Sequence, residues 1–265
     1  MQEGTGRPER ADLSVWQLER LRLTMFPSPA SGPLSQSSWE ELLGRPPDTI
    51  ELNPRQSSFV ARGAWEADAQ SAAITLRATP TRIDWQAAPG LDRDFDGFPT
   101  FGSASACIPQ FRDLMLSWLS RCPPIQRIAF GTVLLLPVAS RQEGYDVLSA
   151  YLPFQLDLAD SSDFQFQVNR RRVSLAVADI ELNRLSKWSV AAFSEQTIEF
   201  SSEAPARTVT TGEHMAARLE LDINTVPSPS TELSGDELAS IFRELVELAV
   251  EIVQNGLAAE YGNRD

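Results

Sequence analysis

The C-terminal segment constrains this chain more than any other. Residues 219–226, Leu-Glu-Leu-Asp-Ile-Asn-Thr-Val, alternate apolar and polar and read as a strand. After a Pro/Ser turn, residues 234–256 carry one continuous apolar stripe of Leu238, Ile241, Phe242, Leu245, Leu248, Ala249, Ile252 and Val253. Glu244, Glu247, Glu251 and Gln254 fall on the opposite, solvent side. Ser234 and Glu237 have capping-box spacing, and Leu233 is placed to staple onto Leu238. A helix with one apolar stripe needs a sheet to lie on, because burying each large side chain releases roughly 2 kcal/mol. The expected architecture is α+β, with antiparallel sheets each covered by a long helix.

The rest of the chain supplies the other elements. Residues 16–26 are a strand candidate, and Trp39, Leu42 and Leu43 mark a short helix stopped by Gly44. Strands at 58–67 and 72–86 form a hairpin across a polar turn at 68–71. A helix at 104–120 places Ile108, Phe111, Met115, Trp118 and Leu119 at helical spacing, with Pro109 assigned to its first turn. Residues 125–138 are almost continuously apolar, as in a strand buried on both faces. A short helix at 142–151 follows, and residues 164–168 alternate Phe, Gln and Val as a half-buried strand. Further strands are expected at 173–178, 189–200 and 207–226, the last kinked near Gly212. The order divides the chain into a polar tail expected to be disordered (1–12), an N-terminal half (13–122) and a C-terminal half (123–265). It fits either two copies of a β-α-βββ-α unit or one larger irregular α+β domain.

Charge narrows the function. The net charge is −13 over 265 residues, which opposes nonspecific nucleic-acid binding. Acidity can instead speed docking of basic partners. Lys187 is the only lysine, so nearly every cation is an arginine, the residue whose fork pairs with carboxylates in two places at once. No run of about 18 apolar residues suggests a membrane span. Two cysteines, Cys107 and Cys122, fit a reducing cytoplasm.

Catalytic patterns are scarce. One histidine and two distant cysteines do not make a zinc set. Asp92, Asp94 and Asp96 resemble the opening of a calcium loop, but its twelfth position is Ser103 where glutamate is needed. There is no phosphate loop, dinucleotide fingerprint or nucleophile elbow. Ser103 and Ser105 read as helix caps, and Cys107 with His214 is the one conceivable thiol pair. No metal, cofactor or catalytic residue is expected. The candidate ligand or nucleic-acid residues are Arg170, Arg171 and Arg172 with Phe166 and Trp188.

Three segments, 127–133, 166–170 and 219–256, carry a resemblance to a sporadically distributed bacterial family of uncharacterised proteins. Its members have an R-Y-I-N strand in mid-chain and close with a Leu-Asp-Ile strand, a turn and a long helix. Gly131-Thr132-Val133 stands here where that motif has a polar-aromatic core. The resemblance implies the α+β fold and, through the patchy distribution, a place in a defence locus. The first functional expectation is a non-catalytic protein-interaction subunit of a bacterial cytoplasmic system, such as a defence or toxin-neutralising assembly, docking through a sheet face or edge strand. The second is a small-molecule-binding or hydrolytic domain with an apolar pocket near Trp85, Phe166 and Trp188. The third is a nucleic-acid-handling subunit of a larger complex, since nucleic acid is not expected as a sole partner.

Overall fold

Leu21, Leu23 and Met25 are buried along β1 (Gln17–Pro27), while the residues between them point the other way. That two-residue period gives a strand two faces of different chemistry. The computed structural model describes residues 10–29, 31, 34–68, 70–90, 97–154, 158, 161–199, 207–228 and 232–257. After β1 come α1 (Ser37–Leu43), β2 (Thr49–Asn53), a 3-10 turn (Pro54–Gln56), β3 (Ser58–Ala67), β4 (Gln70–Thr79), β5 (Arg82–Pro89) and α2 (Ala104–Leu119). The second half contains β6 (Ile125–Val138), α3 (Arg141–Tyr151), β7 (Gln165–Val173), β8 (Glu181–Glu199), β9 (Arg207–Thr225) and α4 (Gly235–Asn255).

The strands among the described residues belong to one nine-stranded antiparallel sheet, ordered β2-β3-β4-β5-β1-β6-β9-β8-β7. This corrects the expectation of a separate sheet under each long helix. The opening strands of the two halves, β1 and β6, pair with each other and make the platform continuous. Each also pairs with the last strand of its own half, β1 with β5 and β6 with β9. The halves are not equal copies of β-α-βββ-α, because the first has an additional strand. The expected strand at 72–86 is really β4 and β5, divided by a tight turn that Thr79 and Arg82 close at 3.0 and 3.1 Å. β2, a fully exposed edge, lacks the burial contrast that would have marked it.

The four α-helices among the described residues pack on one face. Trp39 of α1 stacks on Trp85 of β5 at 5.8 Å, and Trp118 of α2 meets the same ring edge-on at 5.6 Å. Gly63 of β3 makes room for this, since a Cβ there would stand 2.9 Å from the Trp39 ring. Phe242 of α4 meets Phe130 of β6 at 6.1 Å, and Tyr151 of α3 stacks on Trp188 of β8 at 5.3 Å. α4 lies over β6 and β9 and against α2, so the closing helix does cover the closing strand. β6 is buried on both sides, as its apolar run predicted: Ala129 and Val133, which face away from the helices, are 6% and 7% exposed.

Several local expectations need correction. Ser234 occupies the cap position of α4 but makes no capping hydrogen bond. The reciprocal cap occurs at α3 instead, where Glu143 N–H donates to Ser140 Oγ (3.2 Å) and Glu143 Oε2 accepts from Ala139 N–H (2.7 Å). Pro109 sits in the second turn of α2, beyond the position where a missing N–H costs nothing. The strand expected at 173–178 is absent: Val173 ends β7, and Ser174 N–H closes a loop onto Ile180 O at 2.7 Å. Glu244, expected on the solvent side of α4, is buried beneath that loop. It accepts from Ser174 Oγ and from the N–H groups of Leu175 and Ala176. The kink near Gly212 is a register shift in the β8–β9 pair opposite Glu195 and Gln196.

Candidate functional site

The sheet face opposite the helices carries most of the polar side chains of the strands and is not covered by a helix among the described residues. Strand register aligns its side chains in rows that cross the whole platform. One row reads Thr49, Arg62, Thr75, Gln86, Arg22, Gly131, Asp222, Leu185, Asn169. Its neighbour reads Glu51, Val60, Arg77, Asp84, Thr24, Ala129, Asn224, Asn183, Arg171. At the far end another segment closes on this face, where Phe98 packs on the cross-strand pair Phe193 and His214 at 4.8 and 6.2 Å.

Two of the concavities on this face meet at Arg22. The larger, about 540 Å³, lies over β1 and β3–β5 and is lined by Arg22, Arg62, Thr75, Arg77, Thr79, Arg82, Asp84 and Gln86. It holds four guanidinium groups against one carboxylate, in a chain that is strongly acidic overall. The second, about 360 Å³, includes Arg20, Arg22, Val133, Gln167, Lys187, Glu220 and Asp222. Gly131 lies beneath their junction: a Cβ there would be in ordinary contact with Arg22 Nη2 at 3.4 Å, and Arg22 extends across β6 toward Asp222 at 3.6 Å.

Ion pairs organise the face unevenly. Arg82 grips Asp84 with two hydrogen bonds of 2.7 and 2.9 Å, and Thr24 Oγ1 donates to the same carboxylate at 2.5 Å. The bond to Asp84 raises the Arg82 pKa above its ordinary value, against a smaller opposing effect of burial. Arg62 pairs with Glu51, Lys187 reaches Glu220 at 3.1 Å, and Arg218 bridges Glu220 and Glu19. Arg82 and Arg127 flank the Phe26 ring at 5.9 and 5.2 Å. Arg77 is exposed and has no carboxylate partner among the described residues.

The five residues singled out from sequence do not come together on one surface. Arg171 points to the open face and pairs with Glu181 at 3.8 Å. Arg170 and Arg172 point to the helix side, where Arg172 lies 3.7 Å from Glu244. Phe166 is half-buried against Phe154, and Trp188 is fully buried beneath Tyr151. The alternation of a strand separates a consecutive arginine triplet onto opposite faces. The residues that sequence reading missed are Arg22, Arg62, Arg77 and Arg82. Their signal was arginine recurring at the polar positions of four strands that the sheet makes neighbours.

The thiols are poor candidates for nucleophiles. Cys107 is buried with its Sγ 3.9 Å from Phe101 O, and burial, aided by Asp68, pushes its pKa up to about 11. Burial pushes Cys122 up to about 12. Both therefore stay protonated near neutral pH, whereas a reactive cysteine needs thiolate. Cys107 packs by Phe101 and Gly102, while His214 packs by Gly97 and Phe98. Among the described residues, no group of three or more His, Cys, Asp or Glu side chains is placed to hold a metal ion. Asp92, Asp94 and Asp96 lie outside the described residues. Among the described residues, no helix is long and apolar enough to cross a membrane. No known protein family, curated protein or solved structure matches the chain.

Proposed function

We propose that this chain is a non-catalytic recognition subunit that docks its uncovered sheet face onto an acidic region of a protein partner. The observation that carries this reading is the concentration of cations in the two concavities that meet at Arg22, where Arg20, Arg22, Arg62, Arg77, Arg82 and Lys187 face Asp84, Glu220 and Asp222. Arginine is enriched in protein interfaces, and complementary charge steers encounter and fixes register. A mosaic of cations with Glu51, Glu220 and Asp222 suits a protein surface better than a continuous nucleic-acid backbone, whose successive phosphates would have to cross all of those carboxylates. Phe26, flanked by two guanidinium groups, offers little free ring for base stacking. The apolar-pocket alternative is disfavoured because Trp85 and Trp188 are both fully buried in packed ring clusters.

Two buried, unbridged cysteines suit a reducing compartment such as the bacterial cytoplasm. Placement in a defence or toxin-neutralising assembly is the part of this proposal that rests on the family resemblance alone. The test is reciprocal purification from the native host with Arg20→Glu and Lys187→Glu combined on the open face. Loss of a stoichiometric partner is expected, with retention in Arg112→Glu, a change in the helix layer on the other side of the sheet. A partner that survives the open-face reversal would refute docking through this surface.

A further inference from the structure

We infer that the concavity over β1 and β3–β5 binds a phosphoryl group, gripped by Arg22, Arg62 and Arg77 with Thr75 and Gln86 as neutral donors. This deepens the docking proposal and rests on its premise that the sheet face is presented to ligands. The argument begins with how the local carboxylates are used. Asp84 is committed to Arg82 and Thr24, and Glu51 holds Arg62 from the edge strand. Asp222 reaches Arg22 only at 3.6 Å, with both side chains about a third exposed. Arg77, whose cross-strand neighbours are Val60 and Asp84, has no carboxylate of its own among the described residues. Positive charge is therefore left over, and it borders a space of about 540 Å³.

The chemistry of that space selects the ligand. A carboxylate offers two oxygens and one charge, which a single guanidinium fork already satisfies, as Arg82 satisfies Asp84. A phosphate monoester offers three acceptor oxygens and about −1.5 to −2 charge, enough to engage several forks together. Arg62, Thr75, Gln86 and Arg22 form one continuous cross-strand row, and Arg77 lies two residues along β4 from Thr75. Arg62 and Arg77 are diagonal neighbours on β3 and β4, about 7–8 Å apart; Arg22 stands two strands beyond Arg77 and joins them by swinging its long side chain from Asp222 back over β5. Every lining residue is polar or charged, so the matching ligand is hydrophilic where it enters.

Titration calorimetry on the full chain tests this with four probes: inorganic phosphate, pyrophosphate, a phosphoserine peptide with its unphosphorylated counterpart, and acetate. Phosphate-bearing probes should bind at low ionic strength and weaken as salt rises. Arg77→Gln and Arg22→Gln should each weaken binding by about tenfold or more, as expected for loss of a charge-assisted contact. Arg112→Gln should not change it. Tighter binding of the phosphopeptide than of pyrophosphate would place the phosphoryl group on a protein partner, whereas the reverse order would point to a free small anion. Absence of binding by every phosphate-bearing probe would overturn the inference. So would acetate binding equally well, or phosphate binding that survives Arg77→Gln. Failure here leaves partner capture through Arg20 and Lys187 intact, so the two proposals fail separately.

Discussion

The two faces of this sheet are built from the same strands but obey different rules. On the helix side, Trp39, Trp85 and Trp118 interlock, and Phe130 packs against Phe242, with almost no exposed surface. On the other side, side chains of alternate residues meet through ion pairs and leave concavities. Apolar packing tolerates little change in volume, whereas exposed ion pairs contribute roughly 0–1 kcal/mol each. One face therefore specifies the fold, and the other is free to specify a ligand.

The sharpest way to test that division is to empty the helix face at its centre. Phe242→Ala removes the α4 ring that meets Phe130 over β6, and should cost about 3–5 kcal/mol. Urea denaturation should show a lowered midpoint with an unchanged slope. A loss below about 1 kcal/mol would mean that α4 is not the clamp its stripe implies.

A smaller effect is expected where a charge has been drawn into the packed side. Glu244→Ala leaves the Ser174 hydroxyl and the Leu175 and Ala176 N–H groups without their acceptor. The expected cost is about 2–3 kcal/mol, moderated because the loop can reach water. Hydrogen exchange should quicken across 174–180 while α2 keeps its protection. Uniform acceleration over the whole molecule would show instead that Glu244 supports the global fold.

What could be read from sequence follows the same division. The stripe on α4, the doubly buried β6 and the kink at Gly212 were legible because apolar spacing reports burial directly. Glu244 was not, since its burial depends on a loop from another hairpin folding over it. The single sheet was also hidden. Nothing local says that β1 will pair with β6, across more than a hundred residues, to join two smaller platforms. The open-face site was invisible for the same reason. Arg22, Arg62, Arg77 and Arg82 lie on four strands, and only the order β3-β4-β5-β1 brings them together. The Arg170-Arg171-Arg172 triplet made the opposite error inviting, because adjacency in sequence looks like a patch and strand geometry splits it.

The smallest expected effect is the most diagnostic of the comparison. Arg77→Gln removes an exposed guanidinium that has no carboxylate partner among the described residues and contributes no packing to the core. Its stability should stay within about 0.5 kcal/mol of the parent, as surface substitutions away from structural features usually do. Glutamine keeps a polar side chain between Val60 and Asp84, so the register of β4 has no reason to change. Relief of repulsion among four neighbouring guanidinium groups should raise the melting temperature slightly at low salt, and that gain should vanish as salt screens the site. A residue with no structural cost and a measurable ligand cost would belong to the recognising face alone. A large stability loss at Arg77 would instead make its charge part of the scaffold, and the division between the two faces would fail at the centre of the proposed site.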